Sequence, residues 1–203
     1  MGKGMAKRAT AEDPAMAEPI THGAIERERS ITVVPPAASH ENGPWSGHVV
    51  AERYELGRLL GSGSTASVYA GEHLWTRRRV AVKVLHAKHA ANQRTARRWM
   101  REARTLASLE HPNVVSVLDM DVDPSVGGFV VLERLEGETL AESLRRVGRL
   151  SGDEAVYCLE PILGALAEAH RCSIVHQELK PENILLAQTP SGVVPKLLDF
   201  GIA

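Results

Sequence analysis

The sequence predicts an α+β fold, with an antiparallel sheet and one helix followed by a mainly helical region. Three observations carry this expectation. Segments from Tyr54 onward alternate side-chain character with period two and are rich in Val and Leu; residues 91–110 hold an apolar stripe at helical spacing; and two Ser/Thr-x-x-Glu signatures open further helices. At 203 residues and 43% hydrophobic content, the chain suffices for one ordinary domain or two small lobes.

Residues 1–52 are rich in Ala, Pro, Glu, Ser and Gly, with "SITVVPP" as their one coherent apolar patch. They bury too little to offset ordering entropy, so a flexible tail is expected. From Tyr54, "YELGRLLGSGSTASVYAGEHL" and "RRRVAVKVLHA" read as strands of a twisted antiparallel sheet. In 91–110, Ala96, Trp99, Met100, Ala103, Leu106 and Ala107 share a face, while Arg94, Arg97, Arg98, Arg101 and Arg104 fall mostly outside it as a solvated surface. "HPNVVSVLDMDVD" and "GFVVLERL" read as two more strands around a Gly-containing turn. Thr139 with Glu142, and Ser151 with Glu154, form capping boxes in which hydroxyl and carboxylate satisfy first-turn amides. In the second of these helices Val156, Leu159, Leu163, Leu166 and His170 share a face, and Pro161 removes one amide hydrogen bond. "ILLAQ" and "VVPKLLDF", joined through "TPSG", predict a short hairpin.

Charge narrows the function classes. A formal net charge of -1 argues against a general electrostatic grip on nucleic acid or anionic membrane, which needs a clear basic excess. Cys158 and Cys172 form no ligand pattern and are expected to be buried free thiols, which fits a reducing cytoplasm. No apolar run approaches the ~18–20 residues that span a bilayer, and the N-terminus lacks the apolar core of a signal peptide. Ala6 stands where a myristoylation signal has Ser or Thr, so a soluble, cytoplasmic protein is expected.

"GSGSTA", Gly61 to Ala66, is a candidate phosphate loop. It is not a dinucleotide-binding turn, which runs from strand into helix, because here strand follows strand. Nor is it a Walker loop, since no Gly-Lys-Ser/Thr closes it. Downstream stands Lys83 in "VAVK", an apolar-flanked lysine on an interior strand that needs an anionic partner. Glu102 lies on the flank of the amphipathic helix, where it can meet that ammonium. The pair reads equally as a structural salt bridge or as the ammonium that the α- and β-phosphates of ATP require.

The ordered set of Gly61-x-Gly63-x-x-Ala66-x-Val68, Lys83 in "VAVK", Glu102 before "HPNVV", "HQELKPEN" and "DFG" at Asp199 to Gly201 resembles a bacterial-type serine/threonine protein kinase. The resemblance implies an N-lobe over 53–132 and a hinge with part of a C-lobe over 133–203. It implies ATP and Mg2+ as ligands and a protein Ser/Thr hydroxyl as acceptor. Lys83 would bind the phosphates and pair with Glu102, while Asn183 and Asp199 would hold magnesium. Leu60, Val68, Ala81 and Leu185 would sandwich the adenine below the loop glycines Gly61 and Gly63. Leu132 would stand behind it, and Glu133, Arg134 and Leu135 would form the hinge. Leu106, His176 and Phe200 would stack between the lobes. Glu178 would be the catalytic carboxylate, and Lys180 would steady the γ-phosphate.

Several departures bear on chemistry. Glu178 stands where the family has Asp, and one extra methylene moves the carboxylate by about 1 Å, a shift that can cost on the order of 100-fold. Gln177 replaces the Arg that, in many relatives, pairs with a phosphorylated activation loop. Ala66 replaces the third loop glycine and mainly stiffens the tip. The sequence ends at Ala203, directly after "DFGIA", so the resemblance takes in the small lobe and the opening of the large one. The expectation is a large-lobe remnant with an uncovered apolar helix face, poorly soluble or partly molten unless a partner or further sequence covers it. The alternatives are a non-catalytic nucleotide-binding module that regulates a partner, and a truncated inactive product.

Overall fold

The computed structural model describes Met1 and residues 43–200. The tail expected over 1–52 therefore lies mostly outside the described residues, but its last ten residues are described and contain the first strand of the sheet, Val49–Val50. Strands β1 (Val49–Val50), β2 (Tyr54–Ser62), β3 (Ala66–His73) and β4 (Arg79–Leu85) are followed by a one-turn helix α1 (Ala87–Ala90) and the helix α2 (Gln93–Ala107). Strands β5 (Val117–Asp123) and β6 (Gly127–Glu133) complete a six-stranded antiparallel sheet in the order β1-β2-β3-β4-β6-β5.

Strand β4 lies in the middle of that order, and every residue from Val80 to Leu85 is buried. Its alternation serves two cores. Val80, Val82 and Val84 pack with Leu56, Tyr69 and Phe129 on one face. Ala81 and Leu85 join Leu60, Trp99, Ala103, Leu106 and Val130 on the other. The first core is closed by the segment before Tyr54: Val50 is fully buried, Trp45 and Ala51 pack against the cluster, and the Ala51 N–H donates to Asp123 Oδ2 at 2.9 Å. Gly43 is needed there because a Cβ would meet the Tyr69 ring at 2.7 Å. The sheet thus starts earlier than the boundary at 53, because these apolar residues find partners only once the sheet has curled.

Helix α2 is capped by Asn92, whose side chain accepts from Arg94 N and Thr95 N, and it buries Trp99, Ala103 and Leu106 as its periodicity requires. Beyond the sheet come β7 (Gly137–Thr139), α3 (Leu140–Val147), α4 (Gly152–Arg171), a 3-10 turn (Pro181–Asn183), β8 (Ile184–Thr189) and β9 (Gly192–Leu197). Both capping boxes form, at Thr139 with Glu142 and at Ser151 with Glu154. Strands β7, β8 and β9 make a second, three-stranded sheet. At Gly137 (φ +148°) a Cβ would lie 2.1 Å from the Leu186 carbonyl oxygen, so only glycine allows β7 to dock.

Helix α4 runs unbroken through Pro161, and the stripe it buries is a second one, distinct from the row expected to lie partly uncovered. Cys158, Ile162, Ala165 and Ala169 are buried, whereas Val156, Leu159 and Leu163 are 61%, 43% and 63% exposed and His170 is also exposed. The helix is apolar on two sides. The smaller residues face the core and let α4 approach closely, leaving the bulkier row uncovered among the described residues, as the sequence led us to expect. Cys172 is exposed, contrary to expectation, because it caps the C-terminus of α4 beyond the buried stripe.

Candidate active site

The segment His111–Ser116 joins the two sheets and thereby sets the site. Leu197 N donates to Asn113 O at 2.7 Å, Val115 N donates to Leu197 O at 3.0 Å, and Asn113 Nδ2 donates to Pro195 O at 2.8 Å. An ion pair of Lys196 with Glu133 (2.5 Å) adds a tie, and the same carboxylate oxygen accepts from Ser116 N. With β9 fixed in this way, the residues after it are carried under the first sheet.

Lys83 sits opposite Val68 and Val130 in the strand register and is 8% exposed. Its ammonium donates to Asp199 Oδ1 at 2.5 Å, across 116 residues of sequence. A buried ammonium without an anion would be costly, and Asp199 supplies that anion. The predicted partner does not: Glu102 accepts from Arg98 Nε at 2.6 Å, one helical turn earlier, and its other oxygen Oε2 is buried without a hydrogen-bond partner. An i,i+4 partner on its own helix is available to Glu102 without any movement of α2, which is the physical reason for the departure. Arg98 stands on the solvated face as expected, with its side chain 56% exposed, but its pairing with Glu102 was not foreseen; the i,i+4 spacing was the available signal.

Asp199 has φ +43° and Gln177 φ +63°, two non-glycine residues in the left-handed region on the segments that meet here. Such strain concentrates where a side chain must be aimed. His176 is buried, pairs through Nε2 with the Leu198 carbonyl (2.9 Å) and packs its ring 4.7 Å from that of Phe200. Phe200 and Leu106 belong to one apolar cluster, so the predicted stack between the lobes is assembled. Asn183 is held by three hydrogen bonds: its Nδ2 donates to Glu178 O at 2.9 Å, its N–H donates to Lys180 O at 2.9 Å, and its own carbonyl accepts from Leu198 N at 2.8 Å. This leaves the Asn183 side-chain oxygen and the half-exposed Asp199 carboxylate as neighbouring hard-oxygen donors, a set that fits Mg2+.

Glu178 is exposed and its carboxylate is engaged by the Lys180 ammonium. That hydrogen bond is the main cause pushing the Lys180 ammonium above its ordinary range. Among the predicted adenine contacts, Leu60, Ala81, Leu132 and Leu185 are buried and Val68 is partly buried against the same core. The loop between β2 and β3 is closed by Gly63 N donating to Ala66 O at 2.9 Å, with Gly61 opposite Val68 and Gly63 exposed at the tip. Glu133, Arg134 and Leu135 run from the end of β6 toward β7 and are partly buried.

The first sheet thus meets the second through Lys83, whose ammonium pairs with Asp199 just after β9, while Asn183 stands just before β8. Residues 54–203 match the family described as "Protein kinase domain", and the chain belongs to that family. It is similar to serine/threonine-protein kinase PrkC of Bacillus subtilis (39% identity over 157 residues, 77% of this chain and 24% of the relative). Serine/threonine-protein kinase PknA of Mycobacterium tuberculosis is 40% identical over 164 residues, covering 79% of this chain and 37% of that protein. Among solved structures, the PknI kinase domain of Mycobacterium tuberculosis superposes with a TM-score of 0.66 at 28% identity, covering 78% of this chain and 63% of that one. The chain therefore spans about a quarter to a third of the length of these curated relatives, which are named as serine/threonine kinases. No helix among the described residues is long and apolar enough to cross a membrane.

Proposed function

We propose that this chain forms the nucleotide-binding part of an ATP- and Mg2+-dependent protein serine/threonine kinase. The observation that carries the reading is the buried Lys83 ammonium held 2.5 Å from Asp199, with Asn183 bonded beside it. Lys83 binds the α- and β-phosphates, and Leu60, Val68, Ala81 and Leu185 enclose the adenine whose edge meets the backbone of Glu133 and Leu135. Asn183 and Asp199 hold the metal, which when bound neutralises charge developing on the phosphate oxygens. Glu178 orients the acceptor Ser or Thr hydroxyl and takes its proton as the hydroxyl oxygen bonds to the γ-phosphorus and the bond to the β-phosphate oxygen breaks. Lys180, already paired with Glu178, meets the transferred phosphoryl group.

The protein is proposed to act in the cytoplasm, a reading supported by its two free thiols. The exposed row Val156, Leu159 and Leu163 is proposed to be covered by further large-lobe sequence or a partner, since the PknI domain extends beyond the matched region.

Calorimetry of ATP with and without Mg2+, on the wild type and Lys83→Met, tests the site. Metal-dependent binding weakened at least about 10-fold by the substitution is expected. Equal binding by both proteins refutes the assignment of Lys83. ATP binding with no transfer to any Ser/Thr peptide identifies the chain as a non-catalytic nucleotide-binding module instead.

A further inference from the structure

A second basic feature lies on the cleft face of the first sheet but beyond the nucleotide contacts, at the end nearest the hinge. Strand alternation puts Ala70 and Glu72 on the same face as Val68, and Arg79 on the same face as Ala81. There a concavity of about 440 Å3 is floored by Ala70 and Gly71 and lined by Arg58, Arg77, Arg79 and Arg134. Arg77 is paired with Glu72 at 2.8 Å. The other three guanidiniums form no ion pair within 4.0 Å among the described residues. Arg134, partly buried, has its pKa lowered by burial and by the neighbouring charges of Arg58 and Arg79, with Glu136 opposing. Three like charges from β2, β4 and the hinge thus line one concavity, none of them held in an ion pair among the described residues.

We propose that this concavity receives a single phosphoryl dianion, carried on a phosphorylated Ser or Thr side chain of a polypeptide. Guanidinium groups match phosphate oxygens in planar, bidentate geometry, and a dianion placed among three of them relieves their mutual repulsion. The lining also carries Glu55, Glu72 and Glu136, so its charge is only slightly positive. That balance disfavours an extended polyanion and suits one compact anion whose flanking cationic residues meet the rim carboxylates. Glu55, Arg79 and Glu136 are exposed, which leaves the site open to a group borne on a chain. The inference is independent of phosphoryl transfer in the cleft.

The test is fluorescence anisotropy of the full chain with a labelled phosphoserine peptide flanked by lysines. Its serine and glutamate counterparts and inorganic phosphate serve as comparison ligands. The phosphoserine peptide is expected to bind at least about 10-fold more tightly than either counterpart and more tightly than inorganic phosphate. The Arg58→Gln/Arg79→Gln double variant should lose at least about 10-fold of that affinity, and Arg79→Gln alone, at an exposed position, a smaller part of it. Lys83→Met should bind the peptide as the wild type does, which separates this site from the nucleotide cleft. Equal binding of serine and phosphoserine peptides, or unchanged affinity in the double variant, overturns the proposal. Inorganic phosphate binding as tightly as the peptide overturns its assignment to a phosphorylated polypeptide.

Discussion

Replacing Asp123 by Asn tests whether the segment before Tyr54 is an integral part of the small lobe. The Asp123 carboxylate accepts from Ala51 N (2.9 Å), Ser125 N (2.9 Å), Ser125 Oγ (2.5 Å) and Val126 N (3.2 Å). Burial opposes its ionisation, but these hydrogen bonds, led by that of the Ser125 hydroxyl, outweigh burial and hold the pKa at about 2 against an ordinary 3.8. A depressed carboxylate pKa contributes stability that is complete above the unfolded-state value and is lost as pH falls toward the folded-state value. At about 1.4 kcal/mol per pKa unit the contribution is on the order of 2 kcal/mol near neutrality, reduced toward 1 by solvent screening. Roughly half of it should be gone by pH 3. Urea unfolding followed by tryptophan fluorescence at pH 7, 5 and 3 measures this, since Trp99 is buried and Trp45 packs on the core beside Ala51. The Asn variant should be less stable at pH 7, and its deficit should shrink by about half at pH 3. A deficit that stays constant with pH refutes the ionised clasp.

Glu178→Gln should reduce peptide phosphorylation at least about 100-fold with ATP affinity unchanged, measured by radiolabel transfer and calorimetry; an unchanged rate removes Glu178 as the base. Ile162→Ala, at a site 1% exposed, should lower stability by about 2–5 kcal/mol in thermal or urea melts. Leu163→Ser, on the exposed side of the same helix, should change stability by no more than about 0.5 kcal/mol and reduce light scattering at high concentration.

What was legible in the sequence was what local chemistry decides. The capping boxes at Thr139 and Ser151 formed because both partners of each lie within one turn. The hairpins followed because period-two alternation and a Gly-bearing turn need no distant partner. The segment 43–52 was misjudged because its anchors are remote: Ala51 meets Asp123 across 72 residues, and Val50 is buried only by the curled sheet. In helix α4 the uncovered row was legible but the docked one was not. Apolar residues lie on two sides of it, and tertiary docking chose the side where Ala165 and Ala169 allow close approach.

The site was legible as a set of residues but not as a set of pairings, and Glu102 shows why. Sequence offers it two cationic partners, Arg98 one turn away and Lys83 across the cleft, and only the placement of α2 decides between them. In the structure Arg98 takes one oxygen while Oε2 is buried and unpaired, and Lys83 takes Asp199 instead. An exposed i,i+4 ion pair contributes about 0.3–0.5 kcal/mol, so Arg98 holds Glu102 only weakly. A carboxylate oxygen already stripped of water has more to gain from a second cation than a solvated one does. If a bound nucleotide and metal draw on Asp199, Glu102 is the group available to keep Lys83 neutralised. Arg98→Ala should then raise ATP affinity by about 2-fold, the factor set by that pair energy, while leaving stability nearly unchanged. Glu102→Gln should lower the affinity, and the Arg98→Ala/Glu102→Gln double variant should match Glu102→Gln alone, because the arginine acts only through the glutamate. Calorimetric affinities that are additive across this cycle would show that Arg98 and Glu102 influence the nucleotide site independently, and that the Arg98 pair does not restrain Glu102.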